Sequence, residues 1–379
     1  MYSLRNFGDM IGDSARFTAY AKAIAQCVRP GDVVAEIGCG PGIFSLLACR
    51  AGAQRVYAIE TENIIDVARQ IATANGLADR IHFFQSDSRK TELPERVNVI
   101  VSDIRGMLPL FDGAVTSLKD AKKRLLRLDG VMIPRRDVVK AAVIEAEKVY
   151  SNLIAPWTKP ATDEELSVPL ELVLNSAHGV TCKPEQQMSE PEELCRLDYM
   201  GDPNPSASAR LSFQAKQSGM AHGICVWFET ELYGDIGFSS GPGCGATIYG
   251  QLFLPWLEPL KITEGQKVFV TLNANLVGKD YIWRWETETT GHDGANIHFR
   301  QSTFEGSNVS SAILRQHATD YVPVLTEEGQ ADRFLLEAMD GSASLEEIAR
   351  KAVERFPTVY PLCEDAFERA AELARKLSR

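Results

Sequence analysis

The sequence predicts an α/β domain, followed by an all-β domain and a small helical domain. The α/β prediction rests on residues 33–60, where an apolar run, a glycine-rich turn, a helical pattern and a second apolar run follow one another. The all-β prediction rests on strand-like runs between turn residues, among them 223–232 and 267–276. The helical prediction rests on amphipathic patterns beyond residue 320. We place the domains at residues 1–135, 136–315 and 316–379.

The stretch 33–60 has the order of a Rossmann-like nucleotide-binding unit: strand, tight turn, helix, strand and acidic end. Its turn carries Gly38, Gly40 and Gly42, which let the backbone approach a ligand closely. Glu60 ends the second strand, where a carboxylate accepts hydrogen bonds from the two ribose hydroxyls. The unit therefore predicts a nucleotide-type pocket.

The glycine spacing and one further acid indicate which nucleotide binds. The turn reads G-x-G-x-G, whereas a dinucleotide fold uses G-x-G-x-x-G with the pyrophosphate over the helix N-terminus. Glu36 lies two residues before the first glycine, where its charge would repel a pyrophosphate and attract the amino and sulfonium groups of S-adenosylmethionine. This disfavours a dinucleotide oxidoreductase. We expect S-adenosyl-L-methionine as the cofactor, and its binding residues include Glu36, Gly38, Cys39, Gly40 and Glu60.

The bulk properties agree with a cytoplasmic enzyme. The 379 residues carry a formal net charge of −11, which argues against non-specific binding of nucleic acid or of an acidic membrane. No apolar run approaches the roughly 18 residues of a membrane span, and the N-terminus has no secretory signal pattern. The eight cysteines are scattered without C-x-x-C pairs, so we expect reduced thiols and no metal site.

Several separated motifs follow one another along roughly residues 1–310. They are Met10-Ile11-Gly12-Asp13-Ser14-Ala15-Arg16 with Tyr20 after it, the glycine turn with Glu60, ANGLADRI at 74–81, the loop 102–112, HGICVWFETEL at 222–232 and TIYGQLFLP at 247–255. Together these motifs resemble those of the protein arginine methyltransferase family. The resemblance implies a Rossmann-like methyltransferase domain followed directly by a β-barrel domain for substrate binding and dimerisation. It also implies methyl transfer from S-adenosylmethionine to a guanidino or amine nitrogen of a peptide, protein or small metabolite.

The same resemblance assigns roles to individual residues. The family's arginine at the position of Arg16 holds the cofactor carboxylate. The family's adenine-contacting pair aligns with residues 88–89, and the neighbouring Asp87 suits the adenine amino group better. We therefore add Arg16, Asp87 and Ser88 to the cofactor-binding residues. The family's dimers use an arm inserted in the barrel; residues 183–206 are either such an arm or a polar loop, and we expect a homodimer.

The loop 102–112 is the candidate catalytic element. The family has two glutamates nine residues apart in this loop, and Asp103 and Asp112 have the same spacing. Two carboxylates that grip a guanidinium hold its planar fork in place and polarise it towards the attacking nitrogen, and one of them can receive the proton. The resemblance therefore implies that Asp103 and Asp112 are catalytic. The alternative is that both are ordinary loop acids, since aspartate is common in turns.

The acceptor side also departs from the family pattern. Each aspartate is shorter than a glutamate by one C–C bond of about 1.5 Å, and the family's Thr-His-Trp element is Thr247-Ile248-Tyr249. Arg105 replaces a methionine; it either pairs with one loop acid or points to solvent. If it pairs, it occupies the substrate's place or leaves the other acid for a neutral acceptor. Arg105 and Tyr249 are the substrate-binding candidates, and the alternative function is a catalytically degenerate cofactor-binding scaffold that recruits a peptide through its C-terminal domain.

The C-terminal region has a resemblance of its own. Residues 317–379 resemble PqqD-type domains, with a short strand at 321–325, D-x-F-L-L-x-x-M-D-G from 332 and S-L-E-E-I-A from 344. Ser344 and Glu347 fit a capping box. The resemblance implies a small winged-helix-like fold that binds the leader peptide of a substrate through a strand edge. The alternative is a packing or dimerisation domain without a ligand.

Overall fold

A computed structural model of the chain describes residues 2–158, 164–245, 247–291, 294–308 and 310–378. The chain divides into two units, residues 1–307 and 308–379. The boundary that the sequence suggests near residue 135 lies inside the first unit and stays a prediction. No described helix is both long and apolar enough to cross a membrane.

The first part of unit 1 alternates helices and strands. Its helices are α1 (Leu4–Gly12), α2 (Ser14–Cys27), α3 (Ile43–Ala51), α4 (Ile65–Ala74) and α5 (Ala114–Arg124). Its strands are β1 (Val33–Ile37), β2 (Arg55–Glu60), β3 (Ile81–Gln85), β4 (Val97–Ser102) and β5 (Leu126–Ile133). The strands form one parallel sheet in the order β3-β2-β1-β4-β5, which confirms the Rossmann-like prediction.

The strand order explains where a ligand site forms. The chain runs outward from β1 to β3 on one side, then returns to place β4 on the other side of β1. Ligands of such sheets bind beyond the carboxyl ends of the strands at this switch point. Every position of β1 is buried, as expected for a central parallel strand, so Glu36 is a carboxylate within an apolar core strand.

The second part of unit 1 is built from antiparallel sheets. Its strands are β6 (Arg136–Ile144), β7 (His178–Val180), β8 (Glu192–Asp198), β9 (Ala207–Gln214), β10 (Gly219–Tyr233), β11 (Ile236–Ser239), β12 (Gln251–Ile262), β13 (Lys267–Val277), β14 (Asp280–Thr290) and β15 (Asn296–Ser302). One sheet has the order β7-β12-β10-β6-β8 with β11 on β10, and the other has the order β15-β14-β13-β9. The two sheets share a core with buried Trp256 and Trp285, and Trp285 Nε1 donates to Pro255 O at 3.0 Å. A β-sheet domain is confirmed, and closure into a barrel stays a prediction.

Two helices, α6 (Glu147–Thr158) and α7 (Ser167–Leu174), follow β6. The segment 183–206, interpreted from the sequence as an arm or a polar loop, contains β8, which pairs with β6, so it is not a loop throughout, and its role as an arm stays a prediction. Leu194 and Leu197 of β8 are buried, whereas Glu192 and Glu193 are exposed. The exposed charged residues, and a register shift in the pairing with β6, break the regular apolar alternation that would have predicted this strand.

Unit 2 is helical, as predicted. It contains α8 (Ser311–Gln316), α9 (Glu327–Glu337), α10 (Leu345–Arg355) and α11 (Cys363–Leu377), and α9 to α11 enclose a small core around Leu335 and Ile348. The predicted capping box at Ser344 and Glu347 is present. The predicted strand at 321–325 is wrong: this segment is not in a sheet, and Val322 is 80% exposed. The PqqD-like fold itself stays a prediction.

Candidate cofactor and acceptor site

A cleft of about 970 Å³ opens beyond the carboxyl ends of β1, β2 and β4. Its walls come from α1, the glycine turn after β1, the loop after β4 and residues 248–249. The cleft brings together every site residue that the sequence singled out: Arg16, Glu36, Gly38, Cys39, Gly40, Glu60, Asp87, Ser88, Asp103, Arg105, Asp112 and Tyr249. Their surroundings show what each side chain can do there.

The turn after β1 requires glycine on steric grounds. Gly38 has φ +70°, and a Cβ on it would lie 2.3 Å from Ile104 Cγ2. Gly40 has φ +50°, and its Cβ would lie 2.9 Å from the Phe7 ring on α1. The backbone N–H of Cys39 donates to Ile59 O at 3.1 Å, which ties the turn to β2. The result is a narrow backbone cradle at the centre of the cleft.

Glu60 organises the rim of this cradle. Its Oε2 accepts a hydrogen bond from Gly40 N at 2.9 Å, and its Oε1 accepts from Thr61 N at 2.7 Å and from Glu62 N at 3.0 Å. A carboxylate has about four lone-pair sites. Thr61 Oγ1 also donates to Oε1 at 3.3 Å, so Oε1 is fully engaged, whereas Oε2 has one donor and keeps acceptor capacity for a ribose.

Glu36 lies deeper and is fully buried. Its Oε2 accepts hydrogen bonds from Ser45 N at 2.7 Å and from Ser45 Oγ. Burial raises the pKa of Glu36 to about 8; the hydrogen bonds from Ser45 oppose this rise, and the charge of Glu60 adds to it. Without a cation in the cleft, Glu36 is therefore mainly protonated at neutral pH. A cationic ligand beside it would favour its charged form.

Arg16 stands at the junction of the two sides of the cleft. Its Nε donates to Asp103 Oδ2 at 2.5 Å and contacts Tyr249 OH at 3.1 Å, and its Nη1 donates to Met10 O at 2.9 Å. Burial lowers the pKa of Arg16, but Asp103 together with Tyr249 and Tyr20 outweighs burial and keeps this pKa above its usual value. The Nη2 group makes no hydrogen bond to the described residues, so N–H donors remain for a ligand carboxylate.

Arg105 is buried, so the solvent-facing alternative is wrong. Its Nε donates to Asp103 Oδ1 at 3.1 Å, its Nη1 donates to Asp137 Oδ1 at 2.8 Å, and its Nη2 donates to Tyr20 OH. Asp137 lies on β6, and Tyr199 OH donates to its other oxygen at 2.7 Å. Burial opposes the charge of Arg105, and Asp137 is the foremost group that raises its pKa again. The sequence reasoning missed Asp137, although an acid within the apolar pattern of β6 was a usable signal.

The two loop aspartates are in different states. Asp103 accepts hydrogen bonds from Arg16 Nε and Arg105 Nε, and the Tyr249 hydroxyl lies within 2.8 Å of both carboxylate oxygens. Burial raises the pKa of Asp103, but the two arginines and the Tyr249 hydroxyl together outweigh burial, so this pKa lies below its usual value. Asp112 is exposed, has φ +39° and makes no hydrogen bond or ion pair with the described residues. Only Asp112 therefore offers a free carboxylate to the cleft from this loop.

The remaining candidates are tied to neighbours. The Tyr249 hydroxyl lies against Asp103 and its ring stacks on Phe238, so the side chain supports the loop acid rather than facing open space. The predicted adenine end holds Asp87, whose Oδ2 accepts from Arg89 Nη2 at 2.6 Å. Arg89 lowers the pKa of Asp87 to about 2. Ser88 is buried and its carbonyl accepts from Arg124.

This fold and cleft define the class of protein. Residues 18–151 match the family model described as ribosomal protein L11 methyltransferase (PrmA). A parallel sheet of this order, with a glycine cradle, a ribose-type acid and a buried acid suited to a cationic ligand, fits an S-adenosylmethionine-dependent methyltransferase.

The curated and solved relatives narrow the class. The chain is 31% identical over 277 residues to protein arginine N-methyltransferase 2 of Mus musculus, covering 69% of this chain and 62% of the relative. It is 27% identical to protein arginine N-methyltransferase 1 of Schizosaccharomyces pombe, covering 70% of this chain and 80% of the relative. It is 26% identical to protein arginine N-methyltransferase 2 of Xenopus tropicalis, covering 74% and 68%.

Solved structures show the same fold. The Trypanosoma brucei PRMT1 enzyme-prozyme heterotetrameric complex with AdoHcy aligns with a TM-score of 0.73 at 21% identity, over 78% of this chain and 97% of that chain. Arabidopsis thaliana protein arginine methyltransferase 10 aligns with a TM-score of 0.69 at 20% identity, over 79% and 97%. The chain is an S-adenosylmethionine-dependent methyltransferase that resembles the protein arginine methyltransferases, and S-adenosylmethionine is its cofactor.

Proposed function

We propose that the chain transfers a methyl group to a guanidino or amine nitrogen of a peptide, protein or small metabolite that enters the cleft beside Asp112. The observation that carries this proposal is the free Asp112 carboxylate in the same cleft as Arg16, Glu36 and Glu60. A carboxylate there attracts a nitrogen acceptor, orients its N–H groups and accepts a proton from it. When bound, S-adenosylmethionine supplies a methyl group on a positively charged sulfur.

The donor side follows from the surroundings of three residues. The free N–H groups of Arg16 would hold the cofactor carboxylate, Glu60 would accept from the ribose hydroxyls, and Glu36 would face the cationic end. The glycine cradle lets the ligand lie against the backbone. Asp103 acts as a positioning residue in this proposal, because it holds Arg16 and Tyr249 rather than the acceptor.

One observation favours the alternative of a catalytically degenerate scaffold. Asp103, the first acid of the loop, is engaged by two buried arginines. A scaffold of this kind would bind S-adenosylhomocysteine and transfer no methyl group to any acceptor. Its peptide-recruiting activity would reside in residues 308–379.

Unit 2 supports a second, peptide-binding role. Residues 321–325 lie outside any described sheet, and Val322 and Val324 are exposed. Tyr321 N donates to Ala318 O and Leu325 O accepts from Gln330, but the backbone of residues 322–324 makes no hydrogen bond to the described residues, so an extended leader peptide can add there as a strand. Tethering a substrate in this way raises its local concentration at the cleft. Removal of residues 308–379 should weaken binding of a precursor peptide and leave transfer to a short acceptor unchanged.

The experiment that tests the proposed function follows label from S-adenosylmethionine into panels of arginine-containing and amine-containing peptides and small amines. We expect transfer by the wild type and a loss of about a hundredfold or more in Asp112→Asn, with unchanged binding of S-adenosylhomocysteine. Asp235→Asn, an exposed turn residue outside the cleft, is the matched control. Full activity of Asp112→Asn would refute the assignment, and cofactor binding without any transfer would favour the scaffold. Sedimentation of the pure protein tests the expected homodimer.

A further inference from the structure

The Arg105 guanidinium has the surroundings of a bound guanidinium ligand. Carboxylates lie on two sides, with Nε 3.1 Å from Asp103 Oδ1 and Nη1 2.8 Å from Asp137 Oδ1. Its central carbon lies 5.1 Å from the centre of the Phe228 ring and 5.6 Å from that of Phe238, within the range of cation–π attraction. The side chain is 3% exposed. The chain therefore supplies its own guanidinium to the first acid of the loop.

This arrangement removes Asp103 from contact with an acceptor. Its oxygens already receive Arg16 and Arg105, with the Tyr249 hydroxyl against both, and its side chain is 5% exposed. A guanidinium from solvent would have to displace one of these donors. It would also approach two fixed positive charges, which repel it.

Asp112 is the opposite case, since it is exposed to the cleft and unpaired among the described residues. The lining of the same cleft includes the apolar side chains of Phe111, Ile104 and Ile248, and also Arg89, whose pKa the charge of Asp112 helps to raise. A single carboxylate matches the compact charge of an ammonium group, whereas the planar fork of a guanidinium is best held by paired carboxylates.

We propose that Arg105 is a specificity-determining residue, an inference that rests on the proposed function. The Arg105 guanidinium occupies Asp103, the first acid of the loop. The cleft therefore accepts a single amine on an apolar body rather than an arginine side chain. Asp137 is the counter-ion that keeps Arg105 inside. Tyr199 and Arg105 together satisfy Asp137, so removal of Arg105 alone would leave a buried carboxylate partly unpaired.

The test substitutes Arg105 and Asp137 in the same variant. In Arg105→Met/Asp137→Asn, the amide keeps an acceptor for Tyr199, and Asp103 loses the Arg105 guanidinium on Oδ1 while it keeps Arg16 on Oδ2. Two apolar peptides that differ only in one Lys or Arg are titrated into the full-length protein saturated with S-adenosylhomocysteine, and methyl transfer to each peptide is measured separately. We expect the wild type to favour the lysine peptide at least tenfold by both measures, and the double variant to shift this ratio at least tenfold towards arginine. Arg105→Lys, which keeps a cation at the site, should keep the wild-type preference.

Three outcomes overturn the proposal. The first is wild-type methyl transfer to the arginine peptide that is as fast as transfer to the lysine peptide, or faster. The second is equal affinity of the wild type for the two peptides. The third is a double variant that binds S-adenosylhomocysteine but keeps the wild-type ratio between lysine and arginine peptides. The first leaves the proposed methyl transfer intact. Absence of transfer to both peptides contradicts the proposed function instead, and the affinities, which need no turnover, still decide the role of Arg105.

Discussion

Arg16 Nε lies 2.5 Å from Asp103 Oδ2, so one buried ion pair joins the cofactor side of the cleft to its acceptor loop. Asp13 strengthens this link: its Oδ1 accepts from Arg16 N at 3.1 Å as the N-cap of α2, and its Oδ2 accepts from Ile248 N at 3.0 Å. A change in the acceptor loop should therefore alter cofactor binding through Arg16.

The first prediction concerns Asp103→Asn. The substitution removes the charge that compensates Arg16 and Arg105, and breaking a buried ion pair in this way costs about 3–5 kcal/mol. We expect a lower melting temperature and at least tenfold weaker binding of S-adenosylhomocysteine. Asp112→Asn, at an exposed position with φ +39° that asparagine tolerates, should change neither. Equal melting and binding in wild type and Asp103→Asn would contradict the role given to this ion pair.

The second prediction concerns pH. Burial raises the pKa of Glu36 to about 8, so at pH 7 the ligand-free protein holds a proton there, and a cationic ligand expels it. Affinity for S-adenosylmethionine should therefore rise with pH up to about 8. Calorimetry at pH 7 in buffers of different ionisation enthalpy should show proton release in the wild type, and this release should disappear in Glu36→Gln.

The raised pKa of Glu36 also determines how the stability of the fold changes with pH. The folded ligand-free protein binds a proton at Glu36 that the unfolded chain, where this carboxyl has its ordinary pKa of 4.5, releases. This contribution to stability is fully present below about pH 4.5 and is lost as the pH rises through about 8. Glu36→Gln should flatten that decline in urea unfolding between these limits. A decline equally steep in both proteins would assign it to other groups.

The third prediction concerns Glu60→Ala. The substitution removes the acceptor of Gly40 N, Thr61 N and Glu62 N together with the proposed ribose contact. Loss of hydrogen bonds to one charged acceptor costs about 1.5–3 kcal/mol, so S-adenosylhomocysteine should bind on the order of ten- to a hundredfold more weakly. Glu92→Ala, an exposed acid outside the cleft, should bind it as the wild type does. Similar affinities in the two variants would remove Glu60 from the site.

The fourth prediction separates backbone strain from steric closure of the cradle. Gly38 has φ +70° with Ile104 2.3 Å from a built Cβ, whereas Gly76 has φ +67° with nothing within 4 Å. Alanine at either position incurs the left-handed penalty of about 1–2 kcal/mol. Only Gly38→Ala should also displace Ile104 and abolish cofactor binding at concentrations that saturate the wild type. Cofactor binding by a folded Gly38→Ala would show that the cradle is wider than this contact implies.

Local pattern was enough to predict the parallel sheet and its glycine turn, because each element repeats its apolar residues at a regular period. Local pattern did not predict strands correctly where their pairing depends on segments far apart in the chain. The strand β8 was not predicted because its charged residues and a register shift interrupt the apolar alternation, and residues 321–325 look like a strand but have no described partner strand. Pro323 also lacks the backbone N–H that a strand would use.

The candidate site divides in the same way. The glycine turn, Glu36 and Glu60 could be named from the sequence pattern, and Asp103 and Asp112 from the family resemblance; all of them line one cleft. The direction in which the Arg105 side chain points could not be predicted from the sequence, because its partner Asp137 lies on β6, which belongs to a different sheet.

The sequence by itself determined the donor side of this protein, because the backbone turn and the acids beside it are neighbours along the chain. Only the tertiary structure decided the acceptor side. Folding brings Arg16, Arg105 and Tyr249 onto Asp103 and leaves Asp112 free. The physical reason is that the availability of a carboxylate depends on which charges and hydroxyl groups lie within a few ångströms of it, and these come from segments far apart in the chain.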